Sequence, residues 1–254
     1  MNKIIVVENK IIPFDNSDVV IDNNTIRFVN SGNFYIEYID SSDIDIDIIV
    51  DNYTCINLFE YSNNDDISVN NKYILYRNSS LIVSKFYCNN NTTEKINVYL
   101  KDYKANIKYN FSSISNNNDN YIINIYHESD NTSSDIFNRT VAKENSGNFF
   151  DINSYVDNGI KNCYLNQQTK IITLGDSNNK INPNMFIGEE TTTAVHSSVI
   201  GSISEDDLFY MMSRGIDYKN GVNLIVKGMI LSNINANMEI REKILKILDK
   251  LGGE

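Results

Sequence analysis

The chain has 254 residues, enough for one large domain or two small ones, and its 41% hydrophobic and 22% charged content is that of a globular protein rather than a disordered one. With 22 Lys plus Arg against 33 Asp plus Glu the formal charge is -11, and no basic stripe exists to follow a phosphate backbone, which argues against nucleic acid as a partner. No apolar run approaches the roughly 20 residues of a membrane span, and the opening Ile4-Ile5-Val6-Val7 run is too short for a signal peptide, so a cytoplasmic protein is expected.

Ile far outnumbers Leu and Ala, Tyr reaches 16 and Phe 11, while Pro falls to 2 and Trp to 0. β-branched and aromatic residues suit pleated surfaces, although codon bias in an AT-rich genome would produce part of the same skew. From residue 3 to about 200 the chain is a series of short apolar or alternating runs separated by Asn/Asp/Ser clusters, which read as strands and turns. The runs include Ile4 to Val7, Phe34 to Ile39, Ile44 to Val50, Tyr73 to Tyr76, Ile96 to Leu100 and Tyr121 to Tyr126. Ser115 to Asn120 reads as a low-complexity loop. No helical periodicity interrupts the strands, which argues against βαβ units and leaves a sandwich, a barrel or a β-solenoid.

The pattern changes after Gly201. Ser204 followed by Glu205-Asp206-Asp207 is a helix start, with a hydroxyl cap and acids in the first turn. A helix is predicted from about Glu205 to Arg214, stopped by Gly215, then a second from Tyr218 to Leu231 and a third from Asn237 to Leu251 before Gly252-Gly253. The division is therefore a β body over 1–201 and a helical segment over 202–254, the latter expected to pack on the end of the body or against a partner.

Chemistry is limited by two histidines and three cysteines, Cys55, Cys88 and Cys163, with no CxxC pair. His127 reads as a strand-end residue. His196 lies near the last strand, where a structural role is the default and a Ser-His-Asp arrangement finds no GxSxG elbow in support. No P-loop, GxGxxG or HExxH is present, which argues against nucleotide hydrolysis, dinucleotide binding and a catalytic zinc. Asp45/Asp47 and Glu189/Glu190 could pair as glycosidase carboxylates, yet in so acidic a chain they read as solvated faces.

Around His196 the residues match a known pattern. Pro183 precedes Asn184-Met185-Phe186-Ile187 and Glu189-Glu190; His196 follows thirteen residues after that proline; and Glu205-Asp206-Asp207-Leu208-Phe209-Tyr210-Met211-Met212-Ser213-Arg214-Gly215-Ile216 closes the block. Upstream, Asn166 to Leu174 matches a strand of the same pattern. Together these resemble the SufB/SufD family of iron–sulfur cluster assembly scaffolds, the SufD branch more than the SufB branch. The resemblance implies a mainly β fold, a right-handed parallel β-helix with a C-terminal α-helical appendage, lacking the N-terminal helical region usual in the family. It further implies a non-enzymatic subunit that pairs with a SufB-like chain and binds a SufC-like ABC-type ATPase, or that dimerises with itself in isolation. No cofactor would be held stably. A transient iron–sulfur cluster would be shared with the partner chain, with His196 as the interface or metal-ligating residue and Cys163 a weaker candidate. Phe209, Tyr210, Arg214 and Gly215 match the helix nearest the ATPase contact, or else form a helix-packing and capping set. The family's cysteine two residues before the histidine is Ala194 here, and the family's Glu in the preceding strand is Phe186. The rival readings are a β-helix polysaccharide-active enzyme and a β-solenoid that serves interaction alone.

Overall fold

The computed structural model describes residues 2–12 and 16–251, without the side chains of 250 and 251. Its strands, in chain order, are β1 (Asn2–Val7), β2 (Lys10–Ile11), β3 (Val19–Asp22), β4 (Thr25–Phe28), β5 (Gly32–Ile39), β6 (Asp43–Ile44), β7 (Asp47–Val50), β8 (Cys55–Ser62) and β9 (Asp66–Leu75). They continue with β10 (Ser80–Tyr87), β11 (Asn91–Leu100), β12 (Asn106–Ser115), β13 (Asn118–His127), β14 (Ser133–Lys143), β15 (Gly147–Val156), β16 (Tyr164–Leu174), β17 (Asn178–Ile187) and β18 (Thr193–Ser202). Three helices follow, α1 (Glu205–Ser213), α2 (Tyr218–Ser232) and α3 (Met238–Leu251).

Alternate strands fall into two sheets. One runs β18-β16-β14-β12-β10-β8-β5-β1-β2 and the other β17-β15-β13-β11-β9-β7-β4-β3, parallel except for the β1–β2 and β3–β4 pairs. The chain therefore winds as a parallel β-solenoid of about six turns. Stacked residues are separated by 24 positions at Asn33–Asn57 and by 31 at Asn138–Thr169, so the turns differ in length.

Side chains alternate in and out along each strand. The inward rows, among them Phe34, Leu58, Val83, Ile107, Ile123 and Ile152, form the core between the sheets. On the outer face of the second sheet, Tyr99, Tyr126, Tyr155 and Phe186 stack with centroids 5.0, 4.9 and 4.9 Å apart and planes within 11°. Beside them Asn97, Asn124, Asn153 and Asn184 form a ladder of side-chain amide bonds of 2.9–3.1 Å. Each such row repeats one contact from turn to turn, which fixes the register.

The core also encloses charge. Lys85, with both carboxylates it meets, is fully buried: its Nζ lies 3.1 Å from Glu60 Oε2 and 2.9 Å from Glu94 Oε1. Tyr38 and Tyr73 donate to Glu60 at 2.9 and 2.5 Å, and Tyr109 donates to Glu94 at 3.1 Å. Burial pulls the Lys85 ammonium downward, and the two carboxylates more than offset it, so its pKa stands above the ordinary lysine value.

Three expectations require correction. Ser115 to Asn120 is not a loop: only Asn116 and Asn117 lie between β12 and β13. The Asn side chains replace a longer turn by bonding the turn above, with Asn116 Nδ2 to Asn89 O at 2.7 Å and Asn117 Nδ2 to Asn90 Oδ1 at 2.6 Å. The run Ile44 to Val50 is broken into β6 and β7, because the Ile46 N–H turns to the side chain of buried Asn71 at 3.2 Å. The helices do not sit on the end of the solenoid. Val226, Ile230, Ile234, Ile240, Ile244 and Leu248 pack on the outer face of the first sheet, against Tyr35, Phe59, Tyr61, Phe86, Ile114 and Val141. That face is apolar on both sides of its strands, which is why it takes a helical cover. Asn233, at the end of α2, donates to the carbonyls of Phe111 and Phe137, and Lys243 of α3 pairs with Glu37 beside Lys3. The Gly252–Gly253 stop lies outside the described residues.

Candidate functional site

With the helices lying along its side, the solenoid is left open at its C-terminal end. β18 closes the first sheet, with no strand on its far side among the described residues, and carries no charged residue and no proline over its ten positions. Nine of those positions are exposed, including Val195, Val199 and Ile200. Free edges in soluble proteins are ordinarily blunted by Lys, Pro or a bulge; this one is blunted by none of them.

Register places His196. An inward column passes through Phe34, Leu58, Val83, Tyr109, Ile136 and Gln167 and ends at His196. The first six are buried and His196 is exposed, so the imidazole stands in the mouth of the solenoid's interior. Ala194 ends the neighbouring column below Leu165, and Ser198 ends the next below Thr169. From the facing sheet, Met185 lies under Ser154. Over its last two turns the interior carries the polar side chains of Asn138, Ser154, Gln167 and Thr169 beside apolar Leu165 and Ile171.

Cys163 lies near this mouth, packed with Val156 and Leu165 and against Ile160 and Met185. Its thiol is buried and pushed above the ordinary range by that burial, and it contacts Thr132 Oγ1 at 3.3 Å. A thiol so held is a poor thiolate donor. His127 is a buried strand-end residue whose two ring nitrogens meet Thr132 Oγ1 at 2.8 Å and Ser134 Oγ at 3.0 Å; burial lowers its pKa to about 3. Among the described residues no three of His, Cys, Asp and Glu converge on one point, so the mouth offers a single imidazole and no complete ligand set.

The second region lies on α1. Ser204 caps the helix through the Asp207 N–H, Arg214 ends it, and Gly215 takes the left-handed φ of +85° that favours glycine. Gly215 is therefore a capping residue. Phe209 and Tyr210 are not internal packing residues: they are 74% and 61% exposed, and the Arg214 guanidinium lies 5.3 Å over the Tyr210 ring. Between α1, α2 and the end of β16 runs a cleft of about 930 Å³ lined by Leu174, Ile203, Leu208, Phe209, Met212 and Tyr218. His196, Cys163 and the α1 set are thus three separate places. No local signal marks Gln167 as the neighbour of His196, because the turn length that pairs them appears only once the strands are aligned.

The fold is a parallel β-solenoid sheathed on one face by C-terminal helices, with an exposed edge strand at its last turn. The family model described as SUF system FeS cluster assembly, SufBD core domain, matches residues 46–229, and the chain belongs to this family. The chain is similar to the iron-sulfur cluster assembly protein SufD of Bacillus subtilis (strain 168), 24% identical over 118 residues. That match covers 46% of this chain and 27% of the relative. The family's cysteine position, here Ala194, shares the inward face with His196, while Phe186, at the family's glutamate position, points outward and extends the aromatic stack.

Proposed function

We propose that the chain is a SufD-like, non-enzymatic subunit of a cytoplasmic SUF scaffold. It pairs with a SufB-like chain through the open end at β18 and binds a SufC-like ATPase through α1 and the adjoining cleft. A cluster is assembled transiently at the paired end, with His196 as one ligand and the partner supplying the others; it is cargo, not a resident cofactor. Imidazole is an accepted iron ligand, and one imidazole cannot hold a cluster by itself. The observation that carries this reading is the position of His196 at the foot of an inward column on an uncharged edge strand that pairs only with β16 among the described residues.

The ATPase acts by linkage: nucleotide favours one arrangement of the scaffold pair, and the difference in binding free energy between arrangements opens the paired end. Exposed Phe209 and Tyr210, with Arg214 on the Tyr210 ring, supply the aromatic and guanidinium anchors common at interfaces. The experiment is co-expression with SufB-like and SufC-like chains. The wild type is expected to bring down both and to develop iron–sulfur absorption on reconstitution; His196→Ala should keep the complex and lose the absorption, and Phe209→Ser with Tyr210→Ser should lose the ATPase alone. A chain that forms only a homodimer, unaffected by His196→Ala, refutes the reading and leaves the bare interaction solenoid, which the same free edge supports.

A further inference from the structure

We propose that Gln167 is the positioning residue for His196: its side-chain carbonyl accepts the imidazole N–H and leaves the other ring nitrogen, unprotonated, facing the open end. The proposal rests on the reading of His196 given above.

Three observations carry it. The orientation of the Gln167 amide is fixed, because Nε2 lies 3.2 Å from the backbone carbonyl of Asn184, which can only accept, and 2.8 Å from Ser154 Oγ. Both amide donors are thereby used. Oε1 is left inside the molecule with no hydrogen-bond partner among the described residues, although Gln167 is only 1% exposed. Such acceptors are rarely left unpaired in native interiors. His196 is in register with Gln167 on the adjoining parallel strand. In-register side chains on neighbouring strands share a face, and the strands lie about 4.8 Å apart. His196 is the donor-bearing residue next in that column: Ala194 has no donor, and Ser198 stands one column over, below Thr169.

A neutral imidazole has one donor and one acceptor nitrogen, so satisfying Oε1 decides which nitrogen keeps its lone pair. Histidines that bind metals are oriented in this way, by passing the second ring N–H to a carbonyl or carboxylate. An uncharged amide has a further property: it orients the ring without adding a negative charge that would draw a proton to it. The incoming iron then meets a nitrogen that is already free.

The test is the tautomer of His196, read from ring ¹⁵N shifts of the full chain in complex with its SufB-like partner, at a pH where the ring is neutral. The wild type is expected to hold one tautomer by at least about tenfold. Gln167→Met, which keeps the length and removes the oxygen, should relax the ratio to that of a free histidine in a chain that still folds and still binds its partner. A wild-type ring with no such preference overturns the proposal without need of a variant. So does a Gln167→Met chain that keeps the wild-type ratio. Binding of ferrous ion alone to the complex should weaken by about 10- to 100-fold in Gln167→Met. The parent reading has its own measure: if His196→Ala leaves cluster formation intact, the role of His196 fails whatever the tautomer. If His196→Ala abolishes cluster formation and the ring shows no preference, only the assignment of Gln167 falls.

Discussion

Replacing Lys85 by Met tests whether the charges enclosed in the solenoid are balanced by their partners. The substitution keeps the side-chain length and removes the one cation between Glu60 and Glu94, all three of which are fully buried. Tyr38, Tyr73 and Tyr109 still donate to the two carboxylates, yet two negative charges are left inside with no positive partner. Removing one member of a buried ion pair costs about 3–5 kcal/mol, a large part of the roughly 5–15 kcal/mol that holds a typical domain folded. With an m-value of about 3 kcal/mol per molar urea, the midpoint should fall by about 1–1.7 M. Adding Glu60→Gln and Glu94→Gln to Lys85→Met removes the stranded charge; the amide at position 60 keeps one acceptor oxygen for Tyr38 or Tyr73 and can donate to the hydroxyl of the other, so at least half the loss should return. The assay is urea unfolding followed by far-ultraviolet circular dichroism. A single variant whose midpoint moves by less than about 0.3 M, or a triple variant no better than the single one, would refute the reasoning.

Two buried groups should bend the pH dependence of stability in opposite directions. Burial lowers the His127 pKa to about 3, so the unfolded chain binds more protons below about pH 6.5; the contribution is present above that pH and is lost as the pH falls toward 3. Burial raises the Asp119 pKa to about 6 despite the Thr92 N–H at 2.7 Å, so its contribution is present below about pH 4 and is lost as the pH rises through 6. Asp119→Asn should therefore raise the thermal midpoint at pH 7.5 and leave it nearly unchanged at pH 4.5, as scanning calorimetry at the two values would show. Ile244→Ala, at a fully buried contact between α3 and the sheet, should cost about 2–4 kcal/mol and speed amide exchange first in α3. Val199→Lys, on the outward side of β18, should change stability by less than about 0.5 kcal/mol yet abolish pairing through the open end, seen by size-exclusion chromatography with light scattering.

What could be read without coordinates followed from local rules. The caps of α1 were visible because Ser204 and Gly215 act within their own turns, and the outer strands were visible because alternation is local. The partition between the sheets was not, since the stacking separation varies from 22 residues at Thr25–Asp47 to 32 at Asn2–Phe34 and no fixed period marks which residues stack. Nothing local marks Glu60, Lys85 and Glu94; only pairing across turns shows that each answers another's charge. The same limit hid Gln167, whose significance is its position above His196. The mistaken loop at Ser115 to Asn120 has the same origin: Asn there is a turn former within its own chain segment and a rung of a ladder once the turn above is in place. His196 was singled out through the family pattern, and register explains why that position faces inward.

The aromatic stack on the second sheet gives the molecule a built-in reporter. Turns of a solenoid touch only their neighbours, so structure is lost from an end in steps rather than everywhere at once. The rings of Tyr99, Tyr126, Tyr155 and Phe186 lie nearly parallel on four successive turns, and the chain has no tryptophan to mask them. Peeling of the open end would separate Phe186 from Tyr155 first and the tyrosine pairs later, each step removing part of the near-ultraviolet dichroism. Covering that end with another chain should hold the whole signal to higher temperature, so the optical activity of three tyrosines would report on whether the mouth is occupied.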